Sequence, residues 1–267
     1  MSAALDIRAY RQSPGLVVHA FRGTSDALNV CFAGIGLGPD EVQPIEFART
    51  ATMDGRDNAL FISDGTRSWF NRPGLLENVA KLVEEYAAEI GARIVRTLGH
   101  SMGGFMALIL PSVTRVDVAV AYAPQASVHP EIAGDDMRWM NWRARIGTHR
   151  IRSVTDHLND TTRYYVFHGK HPRERFQRDR FAPRENLMHI VIPATVHNVP
   201  QRLRRAGILD KVTGACFDGR LTALRELLAP LGARYRKPGS FEPIAPSADL
   251  VAGGPDTSLA GDNHDQL

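Results

Sequence analysis

The sequence predicts an α/β fold, a mostly parallel sheet with helices on both faces, and three observations predict it. Short β-rich runs alternate with stretches of helical periodicity, the pattern that a parallel sheet with crossover helices requires. One run, Ile94-Val95-Arg96-Thr97-Leu98, passes through Gly99-His100-Ser101-Met102-Gly103-Gly104 into the apolar segment 105–110, an order that reads strand, tight turn, helix. Finally, 267 residues with 43% hydrophobic content are enough to enclose one large core, so a single domain is expected over residues 1–235.

In chain order, the candidate strands are residues 16–21, 28–32, 59–63, 93–98, 116–122, 164–168 and 187–192. Between the third and fourth lies the clearest helix, 75–90. Leu75, Leu76, Val79, Leu82, Val83, Tyr86 and Ile90 form one stripe, Glu77, Lys81, Glu84, Glu85 and Glu89 fall largely opposite, and Gly91 provides a C-terminal cap,. The segment 127–159 breaks the alternation. It carries Met137, Trp139, Met140 and Trp142 among arginines, and its place between the fifth and sixth strands predicts a cap over the carboxyl edge of the sheet. Further helices are expected at 198–205, before Gly207, and at 221–228, before Pro230. From residue 236 onward the chain is rich in Pro, Gly, Ser, Ala and Asp, which predicts a disordered tail, 236–267,.

Charge is unevenly distributed. The chain carries a net +3, yet from Arg138 to Arg184 eleven arginines and one lysine face only Asp156, Asp160, Glu174 and Asp179, a local +8. Such a stretch suits either a solvated face or an anionic partner. Too few aromatics are interleaved for a nucleic-acid platform, so no nucleic acid is expected. Cys31 and Cys216 fit neither a disulfide framework nor a metal site, and are read as small buried apolar residues in a reducing compartment,. Residues 1–8 lack the apolar core of a signal peptide, and no run approaches membrane-spanning length. A soluble cytoplasmic protein without a membrane span is therefore expected, its oligomeric state open.

The turn at Ser101 carries the chemistry. G-x-S-x-G between a strand and a helix is the context of a nucleophile elbow, where glycine is needed because side chains would collide with neighbouring backbone. Ser101 then stands at a helix N-terminus, and the Met102 N–H points to where an oxyanion would develop. The alternative is an ordinary Gly-rich turn. Serine needs a histidine base and an acid that orients it. His197 follows the last candidate strand by a short loop and opens a helix, at the same sheet edge as Ser101. The acid should follow the strand ending at Gly169, where Glu174 and Asp179 are the candidates and Glu174 is nearer the strand end. Either could instead be a surface ion pair. A second oxyanion donor is expected from Gly34 or Ile35, in the glycine-rich loop after the strand 28–32, whose spacing does not fit a dinucleotide site. Asp64, Arg67 and Trp69 follow another strand; they are candidate substrate contacts or braces of their turn. No metal or cofactor is expected.

On these residues the chain resembles the α/β-hydrolase superfamily over about residues 16–231. Gly99-His100-Ser101-Met102-Gly103-Gly104 is similar to the elbow of its esterases, lipases and thioesterases, and the order Ser101, acid, His197 is that family's order. The resemblance implies a sheet of about eight strands, a serine nucleophile and no cofactor. Residues 61–70 and Ala123-Pro124-Gln125 are similar to a little-characterised bacterial branch that accompanies polysaccharide or glycoprotein biosynthesis, which implies a small-molecule or carbohydrate ester as substrate. The chain departs from the family in lacking a His-Gly dipeptide in the oxyanion loop and in offering Glu174 where aspartate is usual. The expected function is a serine hydrolase acting on a carboxylic ester or thioester. The alternatives are an acyltransferase to a sugar or other alcohol, and a catalytically silent scaffold that binds an anionic glycan or a partner protein through its arginines.

Overall fold

The computed structural model describes residues 4–36, 38 and 42–236. Nine strands form one sheet: β1 (Arg8–Ser13), β2 (Leu16–Phe21), β3 (Ala27–Phe32), β4 (Asn58–Asp64), β5 (Ile94–His100), β6 (Val118–Tyr122), β7 (Arg163–Gly169), β8 (Leu187–Ile192) and β9 (Arg234–Arg236). Their spatial order is β1-β2-β4-β3-β5-β6-β7-β8-β9. The block from β4 to β8 is parallel, while β1, β2 and β9 run antiparallel at the edges. All seven expected strands are present, and β5 runs two residues further than expected, carrying Gly99 and His100 into the turn. The polar edge strands β1 and β9 were not anticipated, so the sheet has nine strands rather than about eight.

The helices are α1 (Ala48–Thr52), α2 (Leu75–Ile90), α3 (Met102–Ile109), α4 (Pro130–Ala133), α5 (Met140–Arg143), α6 (Arg175–Arg178), α7 (Val199–Arg205), α8 (Leu209–Phe217) and α9 (Leu221–Leu228). Side chains alternate across the sheet, as strand geometry requires. Leu28, Val30 and Phe32 of β3 and Leu60 and Ile62 of β4 pack with α2 and α3 on one face. Cys31, Ala59 and Phe61 pack on the other with α1, α7, α8 and α9. Both cysteines are free and buried. Every residue of α3 is buried, so this helix is an internal strut that holds the turn before it against the sheet. Among the described residues, no helix is long and apolar enough to cross a membrane.

Residues 127–159 contain the short helices α4 and α5 and lie over the carboxyl ends of the strands, where Trp139 packs on His197 and Trp142 under Arg67. The basic stretch is largely neutralised. Arg150 pairs with Glu77, Arg152 with Glu131, Arg180 with Asp135 and Arg184 with Asp160, and three of those acids lie upstream of Arg138. The surplus of arginine read along the sequence is thus met by acids brought in from neighbouring segments.

Candidate active site

Ser101 sits between β5 and α3 with φ 56 and ψ −120, a conformation costly for a residue with a side chain,. Glycine on either side makes the turn possible. A Cβ on Gly99 would stand 2.2 Å from the Gly103 backbone, and one on Gly103 would stand 2.2 Å from the Phe32 carbonyl. That second approach also brings the end of β3, and with it the loop Gly34-Ile35, alongside the elbow. The Ser101 N–H donates to the Tyr122 carbonyl at 2.9 Å, and its carbonyl accepts from Phe105 N–H. Its side chain is nearly enclosed, the residue being 5% exposed.

His197 lies in the loop from β8 to α7, whose first turn is capped by the Asn198 side chain. Its ring packs at a tilt against His100, at 4.9 Å between centroids, and against Trp139, at 5.0 Å. Nδ1 is 3.3 Å from Glu174 Oε2. Because a carboxylate only accepts, Nδ1 carries the proton, which leaves Nε2 with its lone pair in the neutral ring. Nε2 is buried and has no hydrogen-bond partner. The His100 Nε2–H donates to the His197 carbonyl at 3.2 Å, tying this loop to the elbow. Burial and the neighbouring His197 depress His100 to about 3, so it is neutral.

Glu174, 1% exposed, comes from the loop after β7. Its other oxygen, Oε1, accepts from Arg138 Nη1, between α4 and α5. Arg138 in turn donates to Asp136 through Nε and Nη2, each at 2.9 Å, and Gln177 Nε2 donates to the same Oδ2 as Nη2. Burial alone would raise the Glu174 carboxyl, but the charges of His197 and Arg138 outweigh it and hold the group well below the usual carboxylate range. Asp179 is elsewhere. It pairs with the buried Arg178 and with Arg236 of β9, and joins that edge strand to the end of β7. Of the two candidate acids, only Glu174 reaches His197.

The remaining expected residues divide. Met102 opens α3, where a first-turn N–H has no acceptor inside the helix,. The Gly34 N–H is not free as expected, since it donates to Glu46 Oε1 at 2.9 Å. The Gly34 carbonyl accepts from the buried Gln43 amide. Carbonyl and following N–H lie on opposite sides of a planar trans peptide, so this bond turns the Ile35 N–H the other way,. Asp64 is fully buried and spent on its own turn: Oδ1 accepts from Thr66, and Oδ2 from the Ser68 N–H and Oγ at 2.8 Å. Arg67 donates to the carbonyls of Ile35, Gly65 and Gly38. Neither is positioned as a substrate contact, because a buried group must spend its donors and acceptors nearby.

Trp69, the third of these candidates, is fully buried. Its indole N–H donates to Gln125 Oε1 at 3.0 Å, and Gln125 Nε2 donates to Ser101 Oγ at 3.0 Å. Sequence reasoning missed Gln125 and Arg138 as members of this site. Gln125 had one signal, its place just past the end of β6 beside the elbow strand. Arg138 had none to separate it from ten other arginines in the stretch.

Ser101, Gln125, Glu174 and His197 follow β5, β6, β7 and β8 in turn, so four adjacent parallel strands deliver them to one edge, the usual site position in α/β sheets,. A doubly covered sheet of this order, with a strained serine turn after its central strand, is the α/β-hydrolase fold. Est1E from Butyrivibrio proteoclasticus is similar in structure, with a TM-score of 0.53 and 17% identity over 82% of this chain and 98% of that one. MPT51 of Mycobacterium tuberculosis has a TM-score of 0.52 at 17% identity, over 80% of this chain and 100% of its own. Proline iminopeptidase from Mycobacterium smegmatis has 0.51 at 13%, again over 80% and 100%. Comparison with protein-family models and with curated protein sequences finds no match.

Proposed function

We propose that the protein is a serine hydrolase that cleaves a carboxylic ester or thioester through an acyl-enzyme. The observation that carries this reading is the His197 ring. Its Nδ1 is held by a buried, ionised glutamate and its Nε2 lone pair is enclosed and unpartnered, at the sheet edge where Ser101 is held in a strained turn. A carboxylate on one ring nitrogen and an unpartnered lone pair on the other is the arrangement that a general base requires,.

In the first half-reaction the Ser101 Oγ–H proton passes to His197 Nε2 while an Oγ electron pair forms the bond to the acyl carbon. The carbonyl π pair moves onto oxygen, where the N–H groups of Met102 and Ile35 would receive it. The pair returns, the bond to the leaving alcohol or thiol breaks, and that group takes the proton from Nε2. Water repeats the sequence in the second half, giving its proton to Nε2, and Oγ leaves with the electron pair and regains a proton. Glu174 keeps the ring in the productive tautomer and offsets its transient positive charge. Arg138 fixes Glu174, and Trp139 shields the ring from water.

The test is reaction of the purified protein with a fluorophosphonate probe, the adduct being located by mass spectrometry. Labelling confined to Ser101, abolished in Ser101→Ala, strongly reduced in His197→Ala and retained in Asp179→Ala is the expected result. A folded wild-type protein that takes up no probe would overturn the reading in favour of a silent scaffold.

A further inference from the structure

The hydroxyl of Ser101 receives a hydrogen bond that the steps above do not use. Gln125 is 1% exposed, and which end of its amide faces the serine is not arbitrary. An indole N–H can only donate, so the atom facing Trp69 must be Oε1, and Nε2 is turned onto Ser101 Oγ,. The surrounding backbone is strained to hold this pair. Arg67, Trp69 and Phe70 have φ of 48, 49 and 59, and Ala123, two residues before Gln125, has φ 43. Trp69 itself and three neighbours of the pair, Arg67, Phe70 and Ala123, thus hold side chains in the left-handed region, which marks a constrained functional geometry,.

We propose that Gln125, aimed by Trp69, is a catalytic residue that serves chiefly in breakdown of the acyl-enzyme, by donating to Ser101 Oγ as it becomes the leaving group. This rests on the serine hydrolase reading and deepens it. Only an interaction that strengthens between ground state and transition state accelerates a step. Before acylation Oγ is a hydroxyl oxygen that already accepts from Gln125 Nε2, so the bond stabilises the starting state as well and contributes little to the rate. In the acyl-enzyme Oγ is an ester oxygen, a poor acceptor. When the tetrahedral adduct with water collapses, the C–Oγ electron pair passes to Oγ, which bears negative charge until His197 Nε2 delivers its proton. The Nε2–H bond of Gln125 is then charge-assisted and at its strongest. Trp69 acts through Gln125 as a positioning residue: without the indole N–H the amide is free to turn its carbonyl to the serine, which would stabilise the protonated hydroxyl instead.

The experiment separates the two half-reactions with p-nitrophenyl acetate, reading the burst of nitrophenolate for acylation and the steady state for deacylation, on wild type, Gln125→Leu, Gln125→Glu and Trp69→Phe. Gln125→Leu is expected to acylate within about threefold of wild type and to deacylate about tenfold or more slowly, so that acetylated Ser101 accumulates and is visible in the intact mass. Gln125→Glu, which places an acceptor or a charge against Oγ, should deacylate at least as slowly. Trp69→Phe should shift the partition in the same direction by a smaller factor. Equal loss in both steps, or an unchanged partition in variants that still take up the fluorophosphonate, would overturn the proposal while leaving the serine hydrolase reading intact. A wild type that is never acylated would overturn both.

Discussion

At the scale of single residues, the decisive feature is which atom of His197 carries the proton, and Glu174 decides it. A glutamine at 174 preserves size, but its one carbonyl oxygen faces either His197 Nδ1, which sets an N–H against Arg138, or Arg138, which sets an N–H against His197 Nδ1,. In the latter case the ring proton moves to Nε2 and the base is lost. Glu174→Gln should therefore fold normally and lose about three to four orders of magnitude in kcat with little change in KM, as measured on a chromogenic ester. Asp179→Asn should do the reverse. It weakens the pairs with Arg178 and Arg236, so activity persists while the urea midpoint falls by the equivalent of about 1–3 kcal/mol. The sequence narrowed the acid to these two residues but could not choose between them. The choice depends on where the chain after β7 turns, and the single turn Pro172–Glu174, capped by His171, is what lifts Glu174 to the ring. The placement of Trp69 was hidden for a related reason. A tryptophan in a polar loop looks exposed until its partner is known, and Gln125 lies 56 residues away.

At the scale of elements, the elbow is the part of the fold most legible in sequence, because its requirement is local and steric. The two glycines and the apolar helix after them follow from the same close approach of β3, β5 and α3. Gly103→Ala tests this directly. The added methyl would have to displace the Phe32 carbonyl from 2.2 Å, and the backbone on both sides is central to the core. The expected cost is about 3 kcal/mol or more in chemical unfolding, together with loss of fluorophosphonate labelling, since the clash separates the loop Gly34-Ile35, the proposed oxyanion donor, from Ser101,. An alanine tolerated without either effect would mean that the turn relaxes. Elements set by amphipathic periodicity, such as α2, were equally readable. β1 was not, because an edge strand of sequence Arg-Ala-Tyr-Arg-Gln-Ser is almost wholly exposed and gains its stability from pairing with β2 rather than from a buried face,. α8 was hidden by Val212, Thr213 and Gly214, poor helix formers that are tolerated because the helix is buried against β6,.

At the scale of the whole molecule, the site's neighbours make the stability of the fold dependent on pH with a slope that can be worked out. His100 and His168 are depressed by burial to about 3, and His189 is pushed well below its ordinary 6.5. His168 donates from Nε2 to the Pro124 carbonyl and accepts at Nδ1 from His189 Nε2, so His189 Nδ1 is left buried and unpartnered and neither ring can take a proton cheaply. Glu174, Arg178, His197 and Arg236 are the charged or titratable groups around the pair; burial and the two arginines keep it neutral, while Glu174 acts in the opposite sense. In the unfolded chain all three histidines protonate near 6.5, so acid favours unfolding from there downward. Glu46 works against them. Burial raises it to about 7 against the bond from Gly34 N–H and the charge of Arg204, so between 7 and 4.5 the folded protein holds a proton that the unfolded chain has lost. Below 4.5 that offset ends, and Glu174, depressed in the fold, adds to the destabilisation. The proton uptake on unfolding should thus rise from about two near pH 5.5 to somewhat above three near pH 4, steepening the slope of stability against pH by more than half,. Urea unfolding at closely spaced pH values reads this slope directly. Glu46→Gln should remove the offset and make the upper segment steeper by about one proton, whereas an upper slope unchanged by Glu46→Gln would show that the Glu46 carboxyl stays ionised in the fold,.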